Sequence, residues 1–334
     1  MPHIPPADPW AWFARRTFHH ARFADLDALV RAKEERGLTV SVCLPTRNEA
    51  ETVGAIVRVI REDLMERVAL VDEVVVIDSA SADGTQEAAV EAGASVHEDS
   101  DILPDLPSLG GKGDAMWKSL FVLKGDLIVF IDADIREFGR RFVTGLLGPL
   151  LLEEDVQYVK AFYERPLQNG SGLAPSGGGR VTELVARPIL NLFFPELATI
   201  IQPLSGEYAG RRELFESVPF LSGYGVELGL LIDVATVAGL EGVAQVDLEM
   251  RIHRNHPMPD LSRMAFGVMQ AAFRRLHSTG RIELHREMST LLHQFRPLAE
   301  GYGAEEVAIA VRERPPAATE PRYRESHRPA PRGS

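Results

Sequence analysis

Short apolar runs alternating with helical-period patterns organise the first half of this chain. Thr39-Val40-Ser41-Val42-Cys43-Leu44 is short, β-branched and almost wholly apolar, the pattern of a strand buried on both faces. Val74-Val75-Val76-Ile77 and Leu127-Ile128-Val129-Phe130-Ile131 repeat that pattern. Between the first two runs, Val53, Ile56, Val57 and Ile60 recur at helical spacing. Asn48 and Glu51 stand at capping-box spacing before that helix, and Asp83 and Gln86 before the next. Strands alternating with helices predict parallel crossover units, hence an α/β fold around a mainly parallel sheet. Ligands of such sheets sit beyond the carboxyl ends of the strands. Here those ends carry Pro45-Thr46-Arg47-Asn48-Glu49, Asp78-Ser79 and Asp132-Ala133-Asp134.

Outside residues 39–140 the pattern is looser. Residues 1–38 read as an N-terminal extension, with Trp10, Trp12 and Phe13 ahead of a short amphipathic helix near Asp25 to Arg36. Residues 141–312 form a second part, with a strand expected at Val156 to Tyr163, glycines at 177–179 and intermittent helices. Residues 313–334, rich in Pro, Arg and Glu, are expected to be a disordered tail.

Composition narrows the function classes. With 334 residues, 45% hydrophobic and 25% charged, the chain has the make-up of a packed enzyme. A net charge of −12 argues against nucleic acid and against an anionic membrane surface. An anionic substrate must therefore be gripped by a few local arginines and lysines. Cys43 is the single cysteine, so no intramolecular disulfide can form, and its apolar surroundings read as core. Met1 to Pro6 lacks the basic and apolar regions of a signal peptide, and the most apolar segment, Tyr224 to Leu240, is interrupted by Glu227 and Asp233. A cytoplasmic protein without membrane insertion is expected.

Asp132 and Asp134 carry the strongest chemical signal. Residues i and i+2 of an extended chain point the same way, so two carboxylates share one side beyond a strand end. A hard divalent cation such as Mg²⁺ or Mn²⁺ would relieve their repulsion and bridge to phosphate oxygens. Taken alone, the pair fits a solvated turn equally well. No Gly-x-Gly-x-x-Gly follows the first strand, and Gly110-Gly111-Lys112-Gly113 lacks the Ser or Thr of a phosphate-binding Walker loop, so dehydrogenase and P-loop readings fall away.

The order of these strand ends resembles the GT-A glycosyltransferases. Further blocks resemble the glucosyl- and mannosyl-3-phosphoglycerate synthases within that superfamily: Gly111-Lys112-Gly113-Asp114-Ala115-Met116-Trp117, Gly177-Gly178-Gly179-Arg180-Val181-Thr182-Glu183-Leu184-Val185-Ala186-Arg187-Pro188, Gln202-Pro203-Leu204-Ser205-Gly206-Glu207-Tyr208, Gly223-Tyr224-Gly225-Val226-Glu227 and His253-Arg254-Asn255. The likeness runs from about Thr17 to about Ala265. It implies a Rossmann-like nucleotide-sugar half at 39–140 fused to an acceptor-binding and helical part at 141–312. The implied activity is retaining transfer of glucose or mannose from UDP-glucose or GDP-mannose to 3-phosphoglycerate, a route to compatible solutes.

The resemblance also implies residue roles. Pro45, Thr46, Arg47, Asn48, Glu49 and Ser79 would receive the nucleoside, with Lys112, Asp132 and Ala133 at the ribose and phosphates. Asp134 and His253 would ligate a divalent metal, Mg²⁺, Mn²⁺ or Co²⁺; an imidazole favours the latter two. Gly179, Arg180, Thr182 and Asn255 would hold the acceptor, since glycine N–H groups and a guanidinium fork suit phosphate and carboxylate. Glu227 would orient the sugar, and the carbonyl of Leu204 would steady positive charge on it. Known members tend to carry Pro-Ala-Leu-Asn-Glu-Glu where this chain has Pro45-Thr46-Arg47-Asn48-Glu49-Ala50, which leaves both donors open. The resemblance implies a homodimer. Two rivals are a polyprenyl-phosphate glycosyltransferase, which usually needs a membrane segment or basic amphipathic helix not evident here, and a non-catalytic nucleotide-sugar-binding module.

Overall fold

The alternating burial of three apolar runs builds the centre of the molecule. The computed structural model describes residues 8–165, 167–169, 172–174, 179–251 and 257–326. Its strands in chain order are β1 (Thr17–His19), β2 (Val40–Thr46), β3 (Glu73–Asp78), β4 (Ser95–Glu98), β5 (Leu127–Phe130), β6 (Tyr158–Glu164), a small β7 (Leu167–Asn169) to β8 (Gly172–Ala174) pair, and β9 (Tyr208–Arg211). After these come β10 (Phe220–Leu221), β11 (Val243–Met250), a hairpin of β12 (Leu291–Pro297) and β13 (Tyr302–Ala308), and β14 (Glu313–Arg314). Eight of them form one sheet in the order β1-β11-β6-β9-β5-β2-β3-β4. Neighbours pair in parallel except β9, which runs antiparallel to both β5 and β6. The sheet is thus mainly parallel, as the βα alternation predicts.

Successive side chains of a strand face opposite ways, so a central strand needs apolar residues at every position. Val42, Leu44, Val74, Val76, Leu127 and Val129 enter the core on one face; Cys43, Val75, Ile77, Ile128 and Phe130 enter the core on the other. Helices cover both faces: α1 (Pro9–Arg16), α2 (Leu26–Glu35), α3 (Val53–Ile60), α4 (Thr85–Glu91), α5 (Lys112–Ser119) and α6 (Arg141–Leu152). Beyond them lie α7 (Arg187–Phe193), α8 (Arg212–Ser217), α9 (Val226–Ala238), α10 (Met258–Ser278) and α11 (Pro321–Ser326). Burial pushes the Cys43 thiol up to about 12, in keeping with a core role. Among the described residues, no helix is long and apolar enough to cross a membrane.

Three expectations are corrected. The stretch read as an extension is part of the sheet: β1 pairs with β11, and fully buried Trp12 donates its indole N–H to the Val243 carbonyl at 2.9 Å. The amphipathic helix near Asp25 is α2, with Asp25 accepting from Ala28 N at its start. The capping boxes do not form. Helix α3 begins only at Val53, and Asn48 adopts a left-handed φ of 58°. Asn48, Glu49 and Ala50 instead donate backbone N–H groups to Ser81 Oγ, Thr85 Oγ1 and Asp83 Oδ2, which stitches the β2 and β3 exits together. Gln86 reaches Asp78 and Glu98 rather than its own helix start.

Residues 313–326 are the third correction, because they are ordered rather than disordered. Strand β14 pairs with β10, and Arg314 is buried with its Nε 2.6 Å from Asp114 Oδ1. The Trp117 indole N–H reaches Pro315 O at 2.7 Å. Composition hid this anchor because its acidic partner lies 200 residues away.

Candidate active site

The carboxyl ends of β2, β3 and β5 and the start of α5 enclose a cavity of about 390 Å³. Pro45, Thr46, Arg47, Glu49 and Ser79 line it on the β2 and β3 side, and Lys112, Asp132, Ala133 and Asp134 on the β5 and α5 side. Of the residues expected at the donor, Asn48 alone does not border it; its side chain accepts from Ala82 N and holds the loop. Tyr224, which carried no expected role, also lines the cavity.

Close approach requires glycine at two places. A Cβ on Gly206 would stand 2.0 Å from Asp132 Oδ2. Gly111 has φ +77°, and a Cβ there would fall 2.9 Å from Gly223 Cα. Gly206 lets its loop close on Asp132, and Gly111 lets the turn into α5 close on Gly223.

A network of buried charge sits beneath the cavity. Lys112 Nζ pairs with Asp132 Oδ1, lies 3.2 Å from Glu227 Oε1 and donates to Gly206 O at 3.1 Å. Burial works against its ammonium, but Asp132 and Glu227 outweigh that cost and raise it above the usual lysine range. Arg251 is 5% exposed and bridges the acidic pair: one Nη2 contacts Asp132 Oδ2 at 3.1 Å and Asp134 Oδ1. Its Nη1 lies 3.1 Å from Glu207 Oε1 and donates to Tyr163 Oη at 2.9 Å. Burial would raise the Asp132 carboxyl, yet Lys112 and Arg251 hold it well below the ordinary carboxylate range. Lys160, wholly buried, donates to Ser205 O at 3.0 Å, and burial pushes its ammonium down to about 7 despite Glu227.

Arg251, Glu207, Lys160 and Tyr163 are the residues sequence reasoning passed over. Glu207 stands inside a recognised block, and Arg251 stands two positions before His253 in the sequence. The i, i+2 rule that linked Asp132 to Asp134 would have marked Arg251 as well. Lys160 and Tyr163 lie in an ordinary-looking strand, β6, and carry no such signal.

The other expected residues are distributed differently. Glu227 lies in the first turn of α9 and reaches the network through Lys112. Leu204 lies in the loop whose next two carbonyls accept from Lys160 and Lys112. Gly179, Arg180 and Thr182 do not border the cavity. They open the helical stretch leading to α7, and Thr182 is buried there. Arg187, further along, donates to Ile201 O at 2.6 Å and so braces the Gln202–Glu207 loop. His253 and Asn255 lie outside the described residues.

The acidic pair fits a divalent metal. Asp132 and Asp134 already converge on one cationic group, Arg251, and the Asp134 side chain remains 37% exposed at the cavity wall.

Residues 41–166 match the Glycosyl transferase family 2 model. Over 311 residues the chain is 47% identical to the glucosyl-3-phosphoglycerate synthase of Petrotoga mobilis, covering 93% of this chain and 96% of that protein. The chain belongs to the glucosyl-3-phosphoglycerate synthase family. Among solved structures, mannosyl-3-phosphoglycerate synthase from Rubrobacter xylanophilus aligns with TM-score 0.86 and 44% identity, covering 94% of this chain and 98% of that one. Glucosyl-3-phosphoglycerate synthase from Mycobacterium tuberculosis, in complex with Mn²⁺, uridine diphosphate and phosphoglyceric acid, aligns with TM-score 0.76 and 41% identity, covering 87% and 94%. The architecture is therefore the GT-A fold.

Proposed function

We propose that this chain transfers a hexosyl group from a UDP- or GDP-hexose to 3-phosphoglycerate with retention of configuration. The observation that carries the reading is the convergence of Asp132 and Asp134 at the wall of a cavity lined by eight of the nine expected donor residues. Asp134, with His253, would hold the divalent metal, which supplies charge neutralisation for the departing diphosphate. Lys112 is pinned between Asp132 and Glu227, so its ammonium stands preorganised beside the diphosphate. Glu227, engaged by that ammonium at 3.2 Å, orients sugar hydroxyls rather than attacking as a free nucleophile. The acceptor hydroxyl bonds to the anomeric carbon as the carbon–oxygen bond to the diphosphate breaks, and its proton passes to a diphosphate oxygen. With the Ser205 and Gly206 carbonyls occupied by lysines, the Leu204 carbonyl is the group in that loop assigned to the sugar.

Arg180, with Gly179, Thr182 and Asn255, grips the acceptor's phosphate and carboxylate. A cytoplasmic homodimer is the assembly the family resemblance implies. Phe295 and Tyr302 on the β12–β13 hairpin, 70% and 75% exposed, would give such an interface apolar surface.

The test supplies purified protein with Mg²⁺ or Mn²⁺, 3-phosphoglycerate and each donor separately, and follows nucleoside diphosphate release. Release that requires 3-phosphoglycerate is expected with at least one donor. Release with neither, in a protein that still binds nucleotide and metal, would overturn the acceptor assignment.

A further inference from the structure

Where β1 and β11 end side by side, a second group of metal-ligating side chains gathers. The two strands pair in parallel, with His19 opposite Asp247. Past Asp247 the pairing of β11 with β6 slips out of register, and Glu249 takes a left-handed φ of 68° with its N–H on Asp247 Oδ1 at 2.8 Å. That turn brings its carboxylate over the adjacent histidines. Glu249 Oε1 lies 3.1 Å from His20 Nε2 and 3.9 Å from His19 Nε2. The two imidazoles stack with centroids 4.6 Å apart, and one donor atom from each of the three residues falls within 4.8 Å of the others.

His20 is the inner member of the group. Its side chain is 17% exposed, and its buried Nε2 faces the Glu249 carboxylate at 3.1 Å, so the ring is already aimed at the shared donor atom. Glu249 and His19, 55% and 50% exposed, leave an entry from solvent.

We propose that His19, His20 and Glu249 form a metal site for a borderline divalent ion, Zn²⁺, separate from the carboxylate site at Asp134. Two imidazoles and a carboxylate are a zinc donor set, completed by water. Donors about 2.1 Å from one zinc ion stand roughly 3.4 Å apart in a tetrahedron, so the His20–Glu249 edge is nearly in place. The His19 edge closes by ring rotation. His19 Nδ1 accepts from Ala21 N at 3.2 Å, so binding through Nε2 moves its ring proton to Nδ1 and gives up that contact. His19 is therefore the weaker ligand, and His20 with Glu249 the principal ones. Arg141 Nε, 4.0 Å from Glu249 Oε2, is the neighbouring cation that the ion must displace from the carboxylate. The same Arg141 donates to Leu248 O and Met250 O, so it brackets the slipped segment. An ion on Glu249 would thus fasten the N-terminal histidines to the strand that delivers Arg251 to the acidic pair.

The experiment titrates Zn²⁺ into the intact protein by calorimetry, with excess Mg²⁺ and UDP present to engage the Asp134 site. One Zn²⁺ per chain is expected. His20→Gln and Glu249→Gln should each weaken it by about tenfold or more, and His19→Ala by less. Asp134→Ala should retain this binding event. Glu249→Gln alters an exposed side chain without changing its shape, so it remains informative if His20→Gln folds poorly. Absence of Zn²⁺ binding in the wild type, or unchanged affinity in Glu249→Gln, would overturn the site.

Discussion

Lys160 shows how a single buried side chain couples the site to pH. Its ammonium lies in a fully buried position among Glu227, Lys112 and Glu207, and burial brings it down to about 7 from 10.5. Between those values the unfolded chain holds a proton that the folded chain has released. Stability therefore rises with pH across that window and is lost as pH falls toward 7. Lys160→Met removes this dependence, so its stability slope from pH 7.5 to 9.5 should be shallower by about 1.4 kcal/mol per pH unit. Urea unfolding of both proteins at the two pH values reads it directly, and parallel slopes would remove Lys160 as the source. Arg251 belongs to the same scale. It satisfies three carboxylates at once, Asp132, Asp134 and Glu207, a burden of negative charge that the fold could not bury unpaired.

At the scale of elements, the loop leading into α5 depends on a strand from the other end of the chain. Asp114 is 1% exposed and accepts from Leu109 N at 2.8 Å and Gly110 N at 3.3 Å, which shapes the turn before Lys112. Arg314 in β14 neutralises it and also donates to Pro107 O at 2.6 Å. Arg314→Ala leaves the carboxylate buried without its cation, a loss of about 3–5 kcal/mol for a buried pair broken on one side. The expected result is a lower urea midpoint together with faster proteolytic cleavage at residues 105–111. A variant with wild-type stability and an equally resistant loop would show that β14 is a passive strand.

At the scale of the whole molecule, one sheet unites stretches that look separate along the chain. β1 comes from residues 17–19, β2 to β5 from residues 40–130, and β6, β9 and β11 from residues 158–250. Trp12 seals the β11 edge with its side chain 0% exposed and its indole N–H on Val243 O. Trp12→Ala should destabilise the entire domain by about 3–5 kcal/mol, the cost of emptying a large core position. A single cooperative unfolding transition shifted to lower urea is the expected record. A loss below about 1 kcal/mol would return residues 8–38 to the status of an appendage.

The parts whose signal is local could be read from the chain alone. Apolar runs of strand length marked β2, β3 and β5, because a strand buried on both faces has no polar position to spare. Glu49, Ser79, Lys112 and the Asp132–Asp134 pair were legible because each stands where a parallel sheet offers its ligand site. The family motifs marked Glu227, which the structure pairs with Lys112 at 3.2 Å. Features that depend on partners distant in sequence emerged with the folded arrangement. Arg251 meets Asp134 from 117 residues away, and Arg314 meets Asp114 from 200. A buried charge looks like any surface charge until its counter-ion is found. The apparent capping boxes failed for the same reason: Asn48 and Gln86 found better partners across the β2–β3 exits than within their own helices.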